Sequence, residues 1–396
     1  MITIKYADNK KNIEMVERKG IGHPDTLCDA IAEAASRLYA QFCMKKYNRV
    51  AHHWFDKVML IGGESAIKYG SGKLIKPYVL IFAGKCAKSI CGESVPLYSI
   101  FREAAREVLE NSLTGFSVDE HLQILDMTVD HQGAGRANSR YRPDKVSDMA
   151  ELSIFKNRSN DCNLLASHYP LTELEELVLN TEHYINGKDF KEKFPMTGWD
   201  VKIVGYKKNN NMKLIVNVPF LADFVKSREH YDTLVDLVRH DLEIYVAKYS
   251  SSVELIINPQ DKTGHPYITV FGSAADTGDV GVVGRGNRIN GLITPMQAMS
   301  IEAPAGKNPI DHTGKIYASL AEKLSKKISE AFDCGAEVFI YTYKEELLIE
   351  PTEIHINITR KLDEENEKKI YEIVNDQIGD LDEIVKKYIY EGVVLW

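Results

Sequence analysis

The chain is predicted to fold as an α/β protein, and three observations carry that prediction. Short apolar segments of strand length alternate with amphipathic helical periods from end to end. A length of 396 residues is enough for two or three compact units. A composition of 44% hydrophobic and 27% charged residues fits a globular chain with a sizeable core rather than a disordered one.

The strand signals fall at 58–63, 78–84, 122–129, 202–206, 213–218, 253–258, 267–272, 337–343 and 353–359. The run Lys207-Lys208-Asn209-Asn210-Asn211 reads as the loop of a hairpin between two of them. Helical periodicity covers 24–43, 98–111, 173–184, 222–248, 315–332 and 364–390. In the first helix, Pro24 suits the opening position and Asp25 suits the positive end of the dipole. Leu27, Ile31, Ala34, Ala35, Leu38 and Phe42 form its apolar stripe, while Asp25, Asp29 and Glu33 recur every four residues on another face. A solvated face and a ligand-facing one both remain open for Glu33; Asp25, beside His23, reads as a cation site. The last helix is expected to pack against a sheet. No low-complexity linker and no sequence repeat separates domains, so they are expected to be closely packed or interleaved.

Charge and termini narrow the function classes. With 49 Lys+Arg against 57 Asp+Glu the net charge is −8, and no long basic stretch offers a nucleic-acid surface. A local cluster of cations can still hold a small anion. The start Met1-Ile2-Thr3-Ile4-Lys5-Tyr6-Ala7-Asp8 has no signal-peptide pattern, and no apolar run approaches the roughly 20 residues of a membrane span. The six cysteines form no C-x-x-C pair; Cys86 and Cys91 could pair, but free thiols in a cytoplasmic protein are the expectation.

Four segments carry chemistry. Lys19-Gly20-Ile21-Gly22-His23-Pro24-Asp25 is a glycine turn feeding a helix N-terminus, where free N–H groups and the helix dipole suit phosphate. The segment 278–288 interleaves glycines with Arg285 and Arg288, whose planar forks match phosphate oxygens. It is not a dinucleotide fingerprint, because Ile289 stands where the last glycine would be. In 302–309, Lys307 follows Gly306, but Ile301 and Asn308 exclude a P-loop; Lys307 still suits phosphate as a point charge. Gly62-Gly63-Glu64 closes an apolar strand with a carboxylate. No hydrolase triad and no metal-binding histidine spacing is present, and adjacent His52 and His53 would point to opposite faces of a strand. The chemistry that fits needs phosphate and magnesium binding without a strongly activated nucleophile.

These segments resemble the S-adenosylmethionine synthetase (methionine adenosyltransferase) family, in its archaeal-type branch. The likeness runs through 17–33 (ERKGIGHPDTLCDAIAE), 56–64 (DKVMLIGGE), 170–182 (PLTELEELVLNTE) and 278–315, with GRGNR, GLITP and AGKNP. The resemblance implies three two-layer α/β domains related by pseudo-threefold symmetry and interleaved along the chain, approximated as 1–135, 136–255 and 256–396. It implies a homodimer or larger oligomer with active sites at the subunit interface. The implied reaction joins ATP and methionine into S-adenosylmethionine, phosphate and diphosphate, with Mg2+ and K+ as the candidate ions. His23 would lie beside the leaving triphosphate, with Asp25 on magnesium and Lys202, Arg285 and Lys307 on triphosphate oxygens. Glu64 and Asp279 would orient the amino acid, Asp161 would lie near the nucleoside, and Arg288 would add substrate-binding charge.

Three departures from the family pattern bear on the substrate. Cys162-Asn163-Leu164-Leu165-Ala166-Ser167-His168 replaces a glycine-rich run after Asn160-Asp161. The segment 133–144, ending in Asp144, replaces a glycine-serine-rich one, and Thr277 or Asp276 stands in place of a histidine. The expectation is retained triphosphate chemistry with an altered substrate pocket. A homologue that uses another thioether or only cleaves the phosphate chain stays open as an alternative. So does a non-catalytic nucleotide-binding oligomer partner.

Overall fold

The computed structural model describes residues 1–7, 11–131, 140–249 and 252–396. In chain order its principal strands are β1 (Ile2–Tyr6), β2 (Ile13–Lys19), β3 (His53–Ile61), β4 (Tyr78–Cys86), β5 (Leu122–Val129) and β6 (Asn163–Tyr169). They continue with β7 (Lys202–Lys208), β8 (Asn211–Asn217), β9 (Val253–Ile257), β10 (Val280–Val282), β11 (Ala336–Thr342) and β12 (Glu353–Ile358). The principal helices are α1 (Pro24–Tyr47), α2 (Leu97–Ser112), α3 (Glu173–Ile185), α4 (Arg228–Val246), α5 (Thr313–Phe332), α6 (Glu364–Gly379) and α7 (Leu381–Tyr390).

Three four-stranded sheets result, in the orders β10-β3-β4-β5, β2-β7-β8-β9 and β6-β11-β12-β1. Their pairing is the same each time. A central antiparallel pair (β3/β4, β7/β8 or β11/β12) has a third strand antiparallel to its first member and a fourth parallel to its second. The third strand always leads into the helix that covers the next sheet. Thus β2 feeds α1, which packs on β3 and β10; β6 feeds α3, which packs on β2 and β7; β10 feeds α5, which packs on β6 and β11. One strand–helix–hairpin–helix–strand unit is therefore used three times, the third being closed by β1. The sequence hides this because the apolar periods recur while the residues do not.

The elements follow local chemistry. His23 caps α1, Pro24 opens it, and Asn48 in a left-handed conformation (φ 51°) closes it. The β7–β8 turn shortens to Asn209-Asn210, with Asn209 at φ 54°. In β3, Val58 and Leu60 are fully buried under α1 while Met59 and Ile61 face away. Burying each such side chain stabilises the fold by about 2 kcal/mol. Three apolar cores form in this way, one behind each sheet. The opposite sheet faces stay open: Met15, Met59, Ile61, Met127, Leu164 and Tyr341 are 36–62% exposed.

Several sequence expectations change. The stretch 267–272 keeps only a two-residue strand, because the N–H groups of Val270 and Phe271 donate to the Asp276 carboxylate instead of a neighbouring strand. The fourth helix starts at Arg228, capped by Ser227, not at residue 222. The last helix breaks at Asp380; its first half packs beside α5 and its second beside α1 and α5, and the apolar residues of both halves join the core behind the β6-β11-β12-β1 sheet, as expected. All six cysteines are free thiols. Residues 133–139 of the altered segment 133–144 lie outside the described residues. Among the described residues, no helix is long and apolar enough to cross a membrane.

Candidate active site

The end of β2, the turn 20–23 and the segment 280–288 converge on the N-terminus of α1. Close backbone approaches build this junction. A Cβ on Gly281 would stand 2.0 Å from the Pro24 carbonyl oxygen, and one on Gly22 would stand 2.6 Å from the Trp199 carbonyl carbon. Buried Asn287 clamps β2 to the segment: its Oδ1 accepts from the Lys19 N–H at 2.9 Å and its Nδ2 donates to the Lys19 carbonyl at 2.7 Å.

At the centre is Asp25, 1% exposed. Its Oδ2 accepts from Lys19 Nζ at 2.8 Å and its Oδ1 from the Val282 N–H at 3.0 Å, while Arg285 Nε lies 4.0 Å from Oδ1. Lys19 Nζ also donates to the Arg285 carbonyl at 2.6 Å. Lys202 lies opposite Lys19 in the β2–β7 register and pairs with Glu17 at 3.1 Å. Arg285 extends from the loop with its side chain 62% exposed. Three cations and a helix N-terminus therefore gather around His23 and the buried Asp25, with Glu17 also among them, a combination suited to a polyanion.

His23 is largely buried beside them. Burial first, then the charges of Lys19, Lys202 and Arg285, outweigh Asp25 and bring its pKa down to about 3, so the ring is neutral at pH 7. Its Nδ1 accepts from the Asp25 N–H at 3.1 Å, which leaves Nε2 carrying the proton. A neutral donor next to three cations can hold an oxyanion without adding to their mutual repulsion.

One turn further along α1, Asp29 is 1% exposed and has its pKa pushed up to about 7, chiefly by burial. Its Oδ1 accepts from the Gly284 N–H at 3.2 Å; Oδ2 has no partner among the described residues. Glu33 is not solvated. It pairs with Lys315 at 2.7 Å and accepts from the Gly306 N–H at 3.0 Å, tying α1 to α5.

The other expected residues fall elsewhere. Lys307 is apart from the His23 group, with its ammonium between Asp56 at 2.8 Å and Glu302 at 3.0 Å. Burial works against that charge, but the two carboxylates hold its pKa above the ordinary lysine value. Arg288 does not present its fork freely: Nε donates to the Ser300 carbonyl and Nη1 to the Gly286 carbonyl, each at 2.8 Å. Glu64 and Asp279 are both exposed and come close through the Gly62 N–H, which donates to the Asp279 carbonyl at 3.0 Å; Glu64 is ion-paired to Lys76. Asp161 is exposed near the start of α5, where Thr313 Oγ1 donates to its carbonyl at 3.4 Å.

The altered segment 160–168 is largely strand β6, with Leu165 fully buried and His168 paired to Glu175 at 3.0 Å, so most of it serves the core. Asp276 is also structural. It is fully buried and accepts from the Tyr78 hydroxyl at 2.5 Å, leaving Thr277 as the exposed neighbour. Lys19, Asp29 and Asp56 belong to segments that the sequence marks, but sequence alone assigns none of them a role of its own. Lys19 had a signal, a cation at a strand end directly before a glycine turn.

Fold and site together define a class: a three-unit α/β protein with a cluster of cations at a helix N-terminus. The chain belongs to the S-adenosylmethionine synthetase (AdoMet synthetase) family, whose profile matches residues 3–392. It is 34% identical to the S-adenosylmethionine synthase of Thermoplasma volcanium, over 97% of this chain and 95% of that one. It is 33% identical to that of Pyrobaculum aerophilum, with full coverage of both chains. An unusual S-adenosylmethionine synthetase from Campylobacter jejuni shares the fold, with a TM-score of 0.59 over 96% of this chain and 94% of that one at 14% identity.

Proposed function

We propose that this protein is a methionine adenosyltransferase, in which the thioether sulfur of methionine attacks C5′ of ATP and triphosphate leaves, to be cleaved to phosphate and diphosphate. The observation that carries this reading is the grouping of neutral His23 with Lys19, Lys202 and Arg285 around Asp25. A thioether needs no deprotonation, so the chain's residues act by alignment and by neutralising charge that grows on the leaving group. Lys202 and Arg285 take triphosphate oxygens, His23 donates from Nε2, and Lys19 holds Asp25 and the Arg285 loop in place. Glu64 and Asp279 orient the amino acid through its ammonium group. Arg288 contributes by bracing the loop, and Asp161 faces the nucleoside.

Mg2+ fits this site. Each oxygen of Asp25 keeps a second lone pair, and Mg2+ is commonly held by one or two carboxylates together with substrate phosphates. Among the described residues, no group of three or more His, Cys, Asp or Glu forms an all-protein cage. Bound there, the ion would offset triphosphate charge. K+ remains a candidate second ion.

The open apolar sheet faces support a homodimer, and an active site completed across it would give Lys307 a route to the triphosphate. Cytoplasmic residence is part of the same reading. Mass spectrometry of the pure protein with ATP, methionine and Mg2+ tests it: S-adenosylmethionine with phosphate and diphosphate is expected. Tripolyphosphate or its products without S-adenosylmethionine, or binding without turnover, would overturn it.

A further inference from the structure

A cavity of about 720 Å³ has Ile21 of the histidine turn in its wall, and His23 does not line it. We infer that this cavity binds an organic cation, a protonated amine carried on an apolar body. Four features of the cavity point to that ligand class.

The volume suits a small molecule, and the lining is mostly apolar, with Ala30, Ala34, Val108, Val393 and Trp396 among the contributors. Three helices end at it: Ser112 is the last residue of α2, Asn186 caps α3 and Glu391 caps α7, and all three line the cavity. Each helix C-terminus carries a partial negative charge of about half a unit, so their convergence favours a cation.

Side-chain charge has the same sign. Glu33, Glu107, Glu182 and Glu391 line the cavity against Arg18 and Arg37, and Lys315 behind the wall offsets Glu33, giving 3 − 4 = −1 with His183 neutral. Arg18 is used by Glu182 and Arg37 by Glu107, while Glu33 is paired with Lys315. Glu391 has no ion-pair partner among the described residues.

The fourth feature is an unmet acceptor. Asn186 Nδ2 faces two acceptors, Glu182 Oε1 at 2.6 Å and the Trp199 carbonyl at 3.1 Å, which fixes the orientation of the amide. Its Oδ1 is buried and has no partner among the described residues. The oxygen itself is closed off from solvent, so an ammonium, which supplies up to three donors, reaches it only when the ligand shifts the Asn186 side chain.

The cavity is mechanically close to the site proposed above. A Cβ on Gly20 would lie 2.8 Å from both Asn186 Nδ2 and Glu182 Oε1, so the turn that carries His23 rests on these side chains. A ligand held by Asn186 therefore stiffens that turn; any effect on catalysis rests on the proposed function, whereas binding does not.

Calorimetric titration of the full chain with phenethylamine, and with 3-phenylpropionate as the anionic counterpart, tests the inference. Saturable amine binding is expected with a Kd on the order of 1 mM, at least about tenfold tighter than the acid, as suits a fragment-sized ligand. Glu391→Gln should weaken it several-fold, and filling the cavity from the helix side (Ala30→Phe) or from the exposed tail (Val394→Trp) should abolish it. Hydrogen exchange of a peptide covering 19–24 should slow with the amine bound. Equal binding of the acid, no saturable binding of the amine, or binding that survives both filling variants would overturn the inference. Unchanged exchange at 19–24 in the bound protein would overturn the link to the turn. None of these readouts requires turnover, so they remain decisive if the adenosyltransferase assay fails.

Discussion

His23 and His312 occupy the same position in two of the three repeated units. Each is the N-cap of the helix that follows a sheet-edge strand, and in each the ring Nδ1 accepts a backbone N–H two residues on, from Asp25 and from Gly314, at 3.1 Å in both cases. Both rings are brought down to a pKa of about 3, chiefly by burial. The third unit uses Thr172, which builds a capping box with Glu175 and carries no ring. His23 sits among Lys19, Lys202 and Arg285, so in that unit the same cap is part of the proposed polyanion site.

The two jobs of His23 should separate in mutants. His23→Asn keeps a capping oxygen and should leave the melting temperature within a few degrees of the parent. Turnover should still fall on the order of 10²–10³-fold, the effect of removing one transition-state donor. His23→Ala should lose a similar factor in rate and also about 1 kcal/mol of stability on losing the cap. Steady-state rates and urea unfolding of both variants check this; a near-normal rate for His23→Asn would leave the ring with capping alone.

Arg285 and Lys307 should respond differently although both were expected on the triphosphate. Arg285 is mostly exposed and only loosely paired, so Arg285→Ala should slow turnover on the order of 10²–10³-fold with little change in unfolding free energy. Lys307→Ala leaves Asp56, 7% exposed, with Lys57 as its remaining cation and frees the half-exposed Glu302, and should destabilise the fold by roughly 1–3 kcal/mol. Denaturant titrations beside kinetics distinguish the two; equal stability losses would show that Lys307 is not a structural ion-pair centre.

What the sequence made legible was set by local signals. Pro24, Asp25 and the stripe from Leu27 to Phe42 announced α1, and the glycine turn before it pointed to the cation cluster at its N-terminus. Strands β1, β2 and β6 went unread because what defines them is distant. Ile2–Tyr6 pairs with Glu353–Ile358 and Ile13–Lys19 with Lys202–Lys208, so their alternation has meaning only against partners elsewhere in the chain. The segment 162–168 was read as an altered pocket because it departed from the family motif, whereas Leu165 and His168 are fixed by packing against sheet and helix. Glu33 illustrates the same gap, since its partner Lys315 lies 282 positions away.

Gly281 tests the junction on which the site rests. Its missing side chain lets β10 lie against the first turn of α1, and a Cβ would meet a backbone oxygen that cannot rotate away. Gly281→Ala should therefore destabilise by about 3 kcal/mol or more and displace Asp25 from the Val282 N–H. Gly284→Ala meets no neighbouring atom within 4 Å but has φ at 93°, so only backbone strain, on the order of 1–3 kcal/mol, is expected. Differential scanning calorimetry should place Gly281→Ala as the less stable variant; the reverse order would contradict the close approach.

Acid sensitivity should be traceable to His53. Burial, reinforced by Lys315 and His52, brings its pKa down to about 3 against an ordinary value of 6.5, and its Nδ1 donates to the Ala51 carbonyl at 3.1 Å. Between pH 3 and 6.5 the unfolded chain binds a proton at this residue and the native protein does not, so its contribution to stability is lost as pH falls below about 6.5. Asp29 and Asp200, each with a pKa raised to about 7 chiefly by burial, act in the opposite direction: stability falls as pH rises from about 4 towards 7. These carboxyls are common to parent and variant and cancel in the comparison. His53→Gln should reduce the slope of unfolding free energy against pH by about 1.4 kcal/mol per pH unit between pH 4 and 6, one proton's worth. Urea unfolding of both proteins at half-unit intervals measures that slope directly, and an unchanged slope would mean that His53 is already protonated in the native protein.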